Sequence, residues 1–306
     1  MSTTASFETY PTPEEVDTWL GSIWELVDHA TGSAELLPLQ GFSHSFGVRH
    51  TRGFQYVRFS REGQPDFYGY WQPAVANPAP LLVHVPGYGA EMSVHPDLVA
   101  QGFNVLHVSP LGYSTPEGAD TTRQRDGMWP VLPDSIASGG SAGYRLWLAD
   151  CAAATRWALS QPECHDHRVS FFGSSQGGGG ALLLASLFRD CGVRCVAADV
   201  PFLTDFRGGR GQGAYALFDQ AVTQATDLQS AWRGVGLIDT LSHLHRLDLP
   251  VLLTAGGADG VCPPATIETL FRGLPGTRSY TFLKGVPHRY TVEFVPLAAA
   301  WFRMYA

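Results

Sequence analysis

From Pro80 onward the chain alternates short, continuously apolar runs with longer stretches of helical spacing. The runs are PLLVHVPG (80–87), FNVLHVSP (103–110), RVSFFG (168–173), RCVAADVP (194–201) and PVLLTAGG (250–257), and each closes on Gly or Pro. Stretches such as GYRLWLADCAAATRWALS (143–160) lie between them. Uninterrupted apolar strands separated by helices are the pattern of a parallel sheet covered on both faces, because such strands have no solvent-facing side. SYTFLKG (279–285) and FVPLAAAWFRM (294–304) predict a last strand and a last helix.

Upstream the pattern differs. QYVRFS and DFYGYWQP alternate apolar and polar residues across REGQP, which predicts a hairpin at the sheet edge. Earlier still, TPEEVDTWLGSIWELVDHA carries apolar residues at helical spacing after a Thr-Pro-Glu-Glu start, the signature of a capped helix. Two segments break the rhythm. Residues 111–141 are rich in Gly, Pro and Asp without clear periodicity, and residues 203–244 mix glycines with helical pattern. Both follow the C-terminal ends of predicted strands, where open α/β sheets bind ligands, so both are expected to wall a pocket. With no repeat and no linker, the expected organisation is one domain over 1–306 with a helical extension over 1–50.

Composition narrows the function. The 306 residues are 44% hydrophobic and 16% charged, enough for a substantial core. Net charge is −8 and the basic residues stand singly, so no nucleic-acid groove and no anionic-membrane patch is expected. A small uncharged substrate suits the chain better. Lys284 is the only lysine, so lysine-based covalent chemistry has one position and no supporting motif. Five cysteines without a regular framework argue against a disulfide scaffold, and Cys191 and Cys195 are read as buried thiols. No leader pattern opens the sequence and no apolar stretch approaches 18 residues, which reads as a soluble, cytoplasmic protein.

Chemistry concentrates at GSSQG (173–177), which fits G-x-S-x-G between a predicted strand and a predicted helix. In that setting the turn is so sharp that a Cβ two residues either side of the centre would collide. The frame selects Ser175 as nucleophile and leaves Ser174 in the variable position. Serine needs a base and an orienting acid, which follow in the order Ser, acid, His. Asp259 stands just past PVLLTAGG, and His288 follows SYTFLKG as the only histidine beyond Asp259. Asp199, at the end of an earlier strand, is the alternative acid, and a turn-forming role is the plainer reading of Asp259. His84 and His107 fall inside apolar strands and are read as structural; His243 and His245 are read as residues of a helix surface. Two backbone donors must meet the developing oxyanion, and the amides of Gln176 and of Tyr88, in GYG (87–89), are the candidates. No metal and no organic cofactor is needed by this chemistry.

GSSQGGG, ADVPFLTDFR (198–207), DGVCPPATIETLF (259–271) and PLLVHVPGYG together resemble the acetyl xylan esterase/cephalosporin-C deacetylase family, from about Phe54 to the C-terminus. The resemblance implies an α/β-hydrolase fold, a Ser175–Asp259–His288 triad, Tyr88 and Gln176 as oxyanion donors, and preference for short acyl groups, chiefly acetyl, on sugars and related alcohols. Family habit also implies a homo-oligomer. The sequence departs from the family in three places. LGYST stands where an Arg-Gly-Gln motif supports subunit organisation, Arg289 replaces a Glu after the histidine, and Ser174 replaces a Gly. The competing readings are a lipase-like esterase, a serine peptidase, or a non-catalytic ligand-binding relative of the same fold.

Overall fold

The computed structural model describes residues 10–29, 32–37, 54–89, 92–137, 142–290 and 292–306. Parts of the expected 1–50 extension and of the 111–141 segment lie outside these residues. Nine strands form one sheet: β1 (Ser33–Leu37), β2 (Gln55–Ser60), β3 (Phe67–Gln72), β4 (Ala79–Val85), β5 (Asn104–Ser109), β6 (Cys164–Ser174), β7 (Val193–Asp199), β8 (Val251–Gly256) and β9 (Arg278–Leu283). Their order is β1-β2-β3-β5-β4-β6-β7-β8-β9. The first three are antiparallel to their neighbours, and the six from β5 to β9 run parallel.

Alternation along the parallel strands sorts side chains onto two cores. Leu81, Val83, Val85, Val169, Phe171, Val196, Ala198, Val251 and Leu253 face one side. That side is covered by α1 (Pro13–His29), α3 (Tyr144–Leu159) and α4 (Gln176–Leu187). Leu82, Phe172, Cys195, Ala197 and Leu252 face the other. There α2 (Pro96–Ala100) and α8 (Phe294–Tyr305) supply Leu98, Phe294, Ala298 and Phe302. The apolar runs are therefore strands buried on both faces, as their composition requires.

The predicted hairpin is β2–β3, but β1 extends it and forms the sheet edge. SAELL is too short and too exposed to announce itself by alternation. Helix α1 begins with a reciprocal cap. The Thr12 amide donates to Glu15 Oε2 (2.8 Å) and the Glu15 amide to Thr12 Oγ1 (3.4 Å). Residues 203–244 fold into α5 (Phe206–Gly209), α6 (Tyr215–Thr223) and α7 (Leu228–Ile238), followed by a 3-10 turn over Thr240–Arg246. One buried carboxylate and one buried imidazole brace them. Asp239 accepts from the amides of Asp205 (2.9 Å), Phe206 (2.9 Å) and Leu241 (3.0 Å), and from the hydroxyl of Tyr10 (2.8 Å). His243 is not on a helix surface as its sequence position implies. It is fully buried, with Nδ1 2.9 Å from Ser186 Oγ and Nε2 2.8 Å from the Leu237 carbonyl. Cys191 is half-buried and Cys195 buried, and all five thiols are free.

Candidate active site

The parallel pairing of β4 with β6 sets Gly173 opposite Val85. Consequently the loop after β4 and the turn after β6 emerge side by side. Ser175 occupies that turn with φ 57° and ψ −121°, a left-handed conformation that costs a non-glycine residue about 1–3 kcal/mol. The surroundings fix it. Its amide donates to the Asp199 carbonyl (2.9 Å), and its own carbonyl accepts from Phe202 (2.9 Å) and Gly179 (3.1 Å). The turn leaves no room for side chains at its flanks. A Cβ on Gly173 would lie 2.5 Å from the Val85 carbonyl oxygen, and one on Gly177 2.2 Å from the same atom. Helix α4 starts at Gln176, so its positive end underlies Ser175.

Asp259 is 5% exposed and lies three residues beyond β8. Its Oδ1 accepts from the amides of Val261 and Cys262, each at 2.8 Å, and its Oδ2 lies 2.8 Å from His288 Nδ1. The carboxylate is thus held by backbone and in turn holds the imidazole. Asp199, the alternative acid, is engaged elsewhere. It accepts from Ser174 Oγ (2.8 Å) and Thr254 Oγ1 (2.5 Å) and is fully buried. Ser174 is therefore a buried partner of Asp199 rather than an idle neighbour of Ser175.

Ser175, His288, Tyr88 and Gln176 line one cavity of about 630 Å³. Among the described residues no hydrogen bond joins Ser175 to His288; the serine hydroxyl's recorded neighbour is Cys262 Sγ at 4.0 Å. Donor atoms of Asp259, Cys262 and His288 lie within 4.8 Å of one another, a spacing a metal ion could bridge. That donor set is occupied differently, with the carboxylate and imidazole bonded to each other. The Cys262 thiol is pushed up by burial and then by the nearby Asp259, which keeps it protonated. Sequence reasoning missed two side-chain anchors. Trp129 donates its amide to the Tyr88 hydroxyl (2.8 Å), and the Tyr144 hydroxyl donates to Gln176 Oε1 (3.2 Å). Both span long stretches of chain, and nothing local in the sequence signals them.

Strand order, the sharp Ser175 turn after β6, and a carboxylate and histidine on the loops after β8 and β9 define the α/β-hydrolase fold. Comparison with known proteins narrows this. The family model for acetyl xylan esterase (AXE1) matches residues 54–304. The acetyl esterase Axe7A of Xylanibacter ruminicola is 30% identical over 222 residues, covering 69% of this chain and 49% of that relative. This chain thus spans about half the length of that relative. Acetyl xylan esterase 1 from Thermoanaerobacterium has the same fold, with a TM-score of 0.73 at 21% identity over 98% of this chain and 97% of its own. An acetyl xylan esterase from Paenibacillus superposes with a TM-score of 0.74 at 18% identity, over the whole of both chains. The protein belongs to the acetyl xylan esterase family. Among the described residues no helix is long and apolar enough to cross a membrane.

Proposed function

We propose that the protein is a serine carboxylester hydrolase that removes short acyl groups, chiefly acetyl, from sugars or related alcohols through an acyl-enzyme. One observation carries the reading: Ser175, strained at the start of α4, shares a cavity with a histidine held by a buried carboxylate. Ser175 attacks the acetyl carbonyl while His288 takes its proton; Asp259 keeps the Nδ1 proton of the imidazole in place, so that Nε2 is the basic nitrogen. The amides of Tyr88 and Gln176 stabilise the oxyanion, each contributing about 2.7–4 kcal/mol in well-measured relatives of this chemistry. His288 then protonates the departing alcohol, and water, activated by the same histidine, releases acetate. The missing Ser175–His288 hydrogen bond is compatible with this sequence, because such contacts commonly tighten only when substrate binds.

The test is Ser175→Ala assayed on p-nitrophenyl acetate. Turnover is expected to fall by about 10⁴-fold or more, together with labelling by a fluorophosphonate probe. Wild-type turnover in that variant would overturn the assignment. An acyl-length series separates this reading from a lipase-like one, which requires faster turnover of long acyl chains.

A further inference from the structure

The net charge of −8 favours an uncharged substrate, yet charge is unevenly distributed around the site. The cavity of about 630 Å³ is far larger than an acetyl group, so most of it receives the remainder of the ester. Among the described residues that line it there is no Asp, Glu or Lys, although the chain carries 28 acidic residues. Asp259 and Asp199 are buried outside the lining, bonded to His288 and to Ser174. Burial keeps His84 neutral. Apart from His288, the lining's one ionisable cation is therefore Arg289. It follows the histidine directly in sequence and is one of the chain's departures from the family pattern.

Most of that guanidinium is unengaged. Its ion pair with Glu293 runs through Nη2 alone, 3.5 Å from Oε2, with the two side chains 39% and 44% exposed. A well-aligned charge-assisted bond is shorter, about 2.7–2.9 Å, and exposed pairs hold their partners weakly. The planar fork is thus open to a second carboxylate, which it can grip through two parallel bonds. A phosphate dianion would call for another cation, and the described lining offers none. With acetyl as the acyl group, the carboxylate must sit on the alcohol half. Donors for sugar hydroxyls stand nearby. The Tyr88 oxygen accepts from Trp129, leaving its own O–H to donate, and Gln176 accepts from Tyr144 at Oε1, leaving Nε2.

We propose that Arg289 is a specificity-determining residue that binds a carboxylate on the alcohol half of the ester, so that the preferred substrate is an acetylated sugar acid, a uronate acetate. The inference rests on the hydrolase reading above and narrows its substrate class within the sugar acetates. The chemistry at Ser175 is unchanged. The bond between the acetyl carbon and the sugar oxygen breaks, the serine proton passes through His288 to that oxygen, and one water releases acetate and a proton from the acyl-enzyme.

The experiment compares kcat/KM of the whole protein for a monoacetylated methyl glucuronoside with that for its uronamide, which has the same shape without the charge. The uronate is expected to lead by about threefold to fivefold at low salt, the size of a partly exposed ion pair. The lead falls in KM rather than kcat, because the pair exists before and during reaction, and it shrinks as salt screens it. Arg289→Gln should bring the ratio to one, Arg289→Glu should invert it, and Arg289→Lys should keep part of it. Glu293→Gln removes the competing carboxylate and should raise it. Both substrates meet the same His288, so any disturbance of that neighbour cancels from the ratio. Equal values in the wild-type protein, a lead that survives Arg289→Gln, or cleavage of p-nitrophenyl acetate but of neither glycoside would sink the proposal while leaving the hydrolase reading intact. Ester turnover that survives Ser175→Ala is the separate outcome that removes the reading beneath.

Discussion

Gly177 illustrates how little freedom the residues around Ser175 have. A Cβ there would lie 2.2 Å from the Val85 carbonyl oxygen and 2.7 Å from that of Pro86, both backbone atoms of the strand and loop that carry the Tyr88 amide. Neither can yield without moving the proposed oxyanion site. Gly177→Ala is therefore expected to cost about 1–3 kcal/mol in stability and to lower kcat for acetate esters more than it raises KM. Urea denaturation and steady-state kinetics together check this; an unchanged kcat would show that the loop after β4 does not set the rate. Gly179 is equally confined, because a Cβ would lie 1.9 Å from the Phe202 carbonyl oxygen. The run of four glycines thus reflects contacts on several sides of one helix start. The sequence singled out Ser175 as the candidate nucleophile because the G-x-S-x-G rule is local, and the chain order Ser, acid, His then directed attention to Asp259 and His288. Ser174 was opaque for the opposite reason. Its partner Asp199 lies 25 residues away on the neighbouring strand, and no spacing rule connects them.

At the level of elements, the loop after β4 is held by the segment that follows β5. Trp129 donates its amide to the Tyr88 hydroxyl, and the Trp129 ring stands 5.0 Å from that of Tyr113. This anchor is exposed, so removing it should barely affect folding while loosening the position of the Tyr88 amide. Tyr88→Phe is expected to reduce kcat about threefold to tenfold, the equivalent of about 1 kcal/mol, with the thermal midpoint nearly unchanged. If kcat is retained, the loop holds its position without the tyrosine hydroxyl. The elements themselves were legible where burial was complete. Strands β4 to β8 could be read because both faces are apolar, and α1 because Thr12 and Glu15 form a local cap. β1 was missed because its five residues are mostly exposed or half-exposed and it is defined only by pairing with β2. The surroundings of His243 were missed because burial there comes from Ser186 in α4 and the end of α7, neither visible from its neighbours in sequence.

Across the whole molecule, neutral buried histidines make the fold sensitive to acid. Burial holds His95 and His243 down to about 4, while His84 is lowered by burial and then by its neighbours His95 and His107. In the unfolded chain each takes up a proton near the ordinary value of about 6.5. Between those limits the unfolded state binds more protons than the folded state, so stability rises with pH and is lost as pH falls from about 6.5 to 4. Each shift of this size corresponds to about 3 kcal/mol. Asp150 works the other way. Burial, opposed by Arg61, raises it to about 6, so its contribution grows as pH falls through 6 and offsets roughly one histidine. Burial raises Asp239 as well, so three histidines stand against two carboxyls, and the net loss in acid is carried by the remaining histidine. The neutral form of His243 suits its site, with Nε2–H donating to the Leu237 carbonyl and Nδ1 accepting from Ser186. Protonation would add a charge with no carboxylate among these partners. The urea midpoint of the wild-type protein is therefore expected to drop between pH 7 and pH 4.5. His243→Gln should be less stable at pH 7, since Ser186 and Leu237 lose a fitted partner, yet lose less on acidification. Parallel pH profiles for the two proteins would mean that His243 titrates alike in the folded and unfolded chains, and that the acid sensitivity arises from His84 and His95, beneath the candidate site.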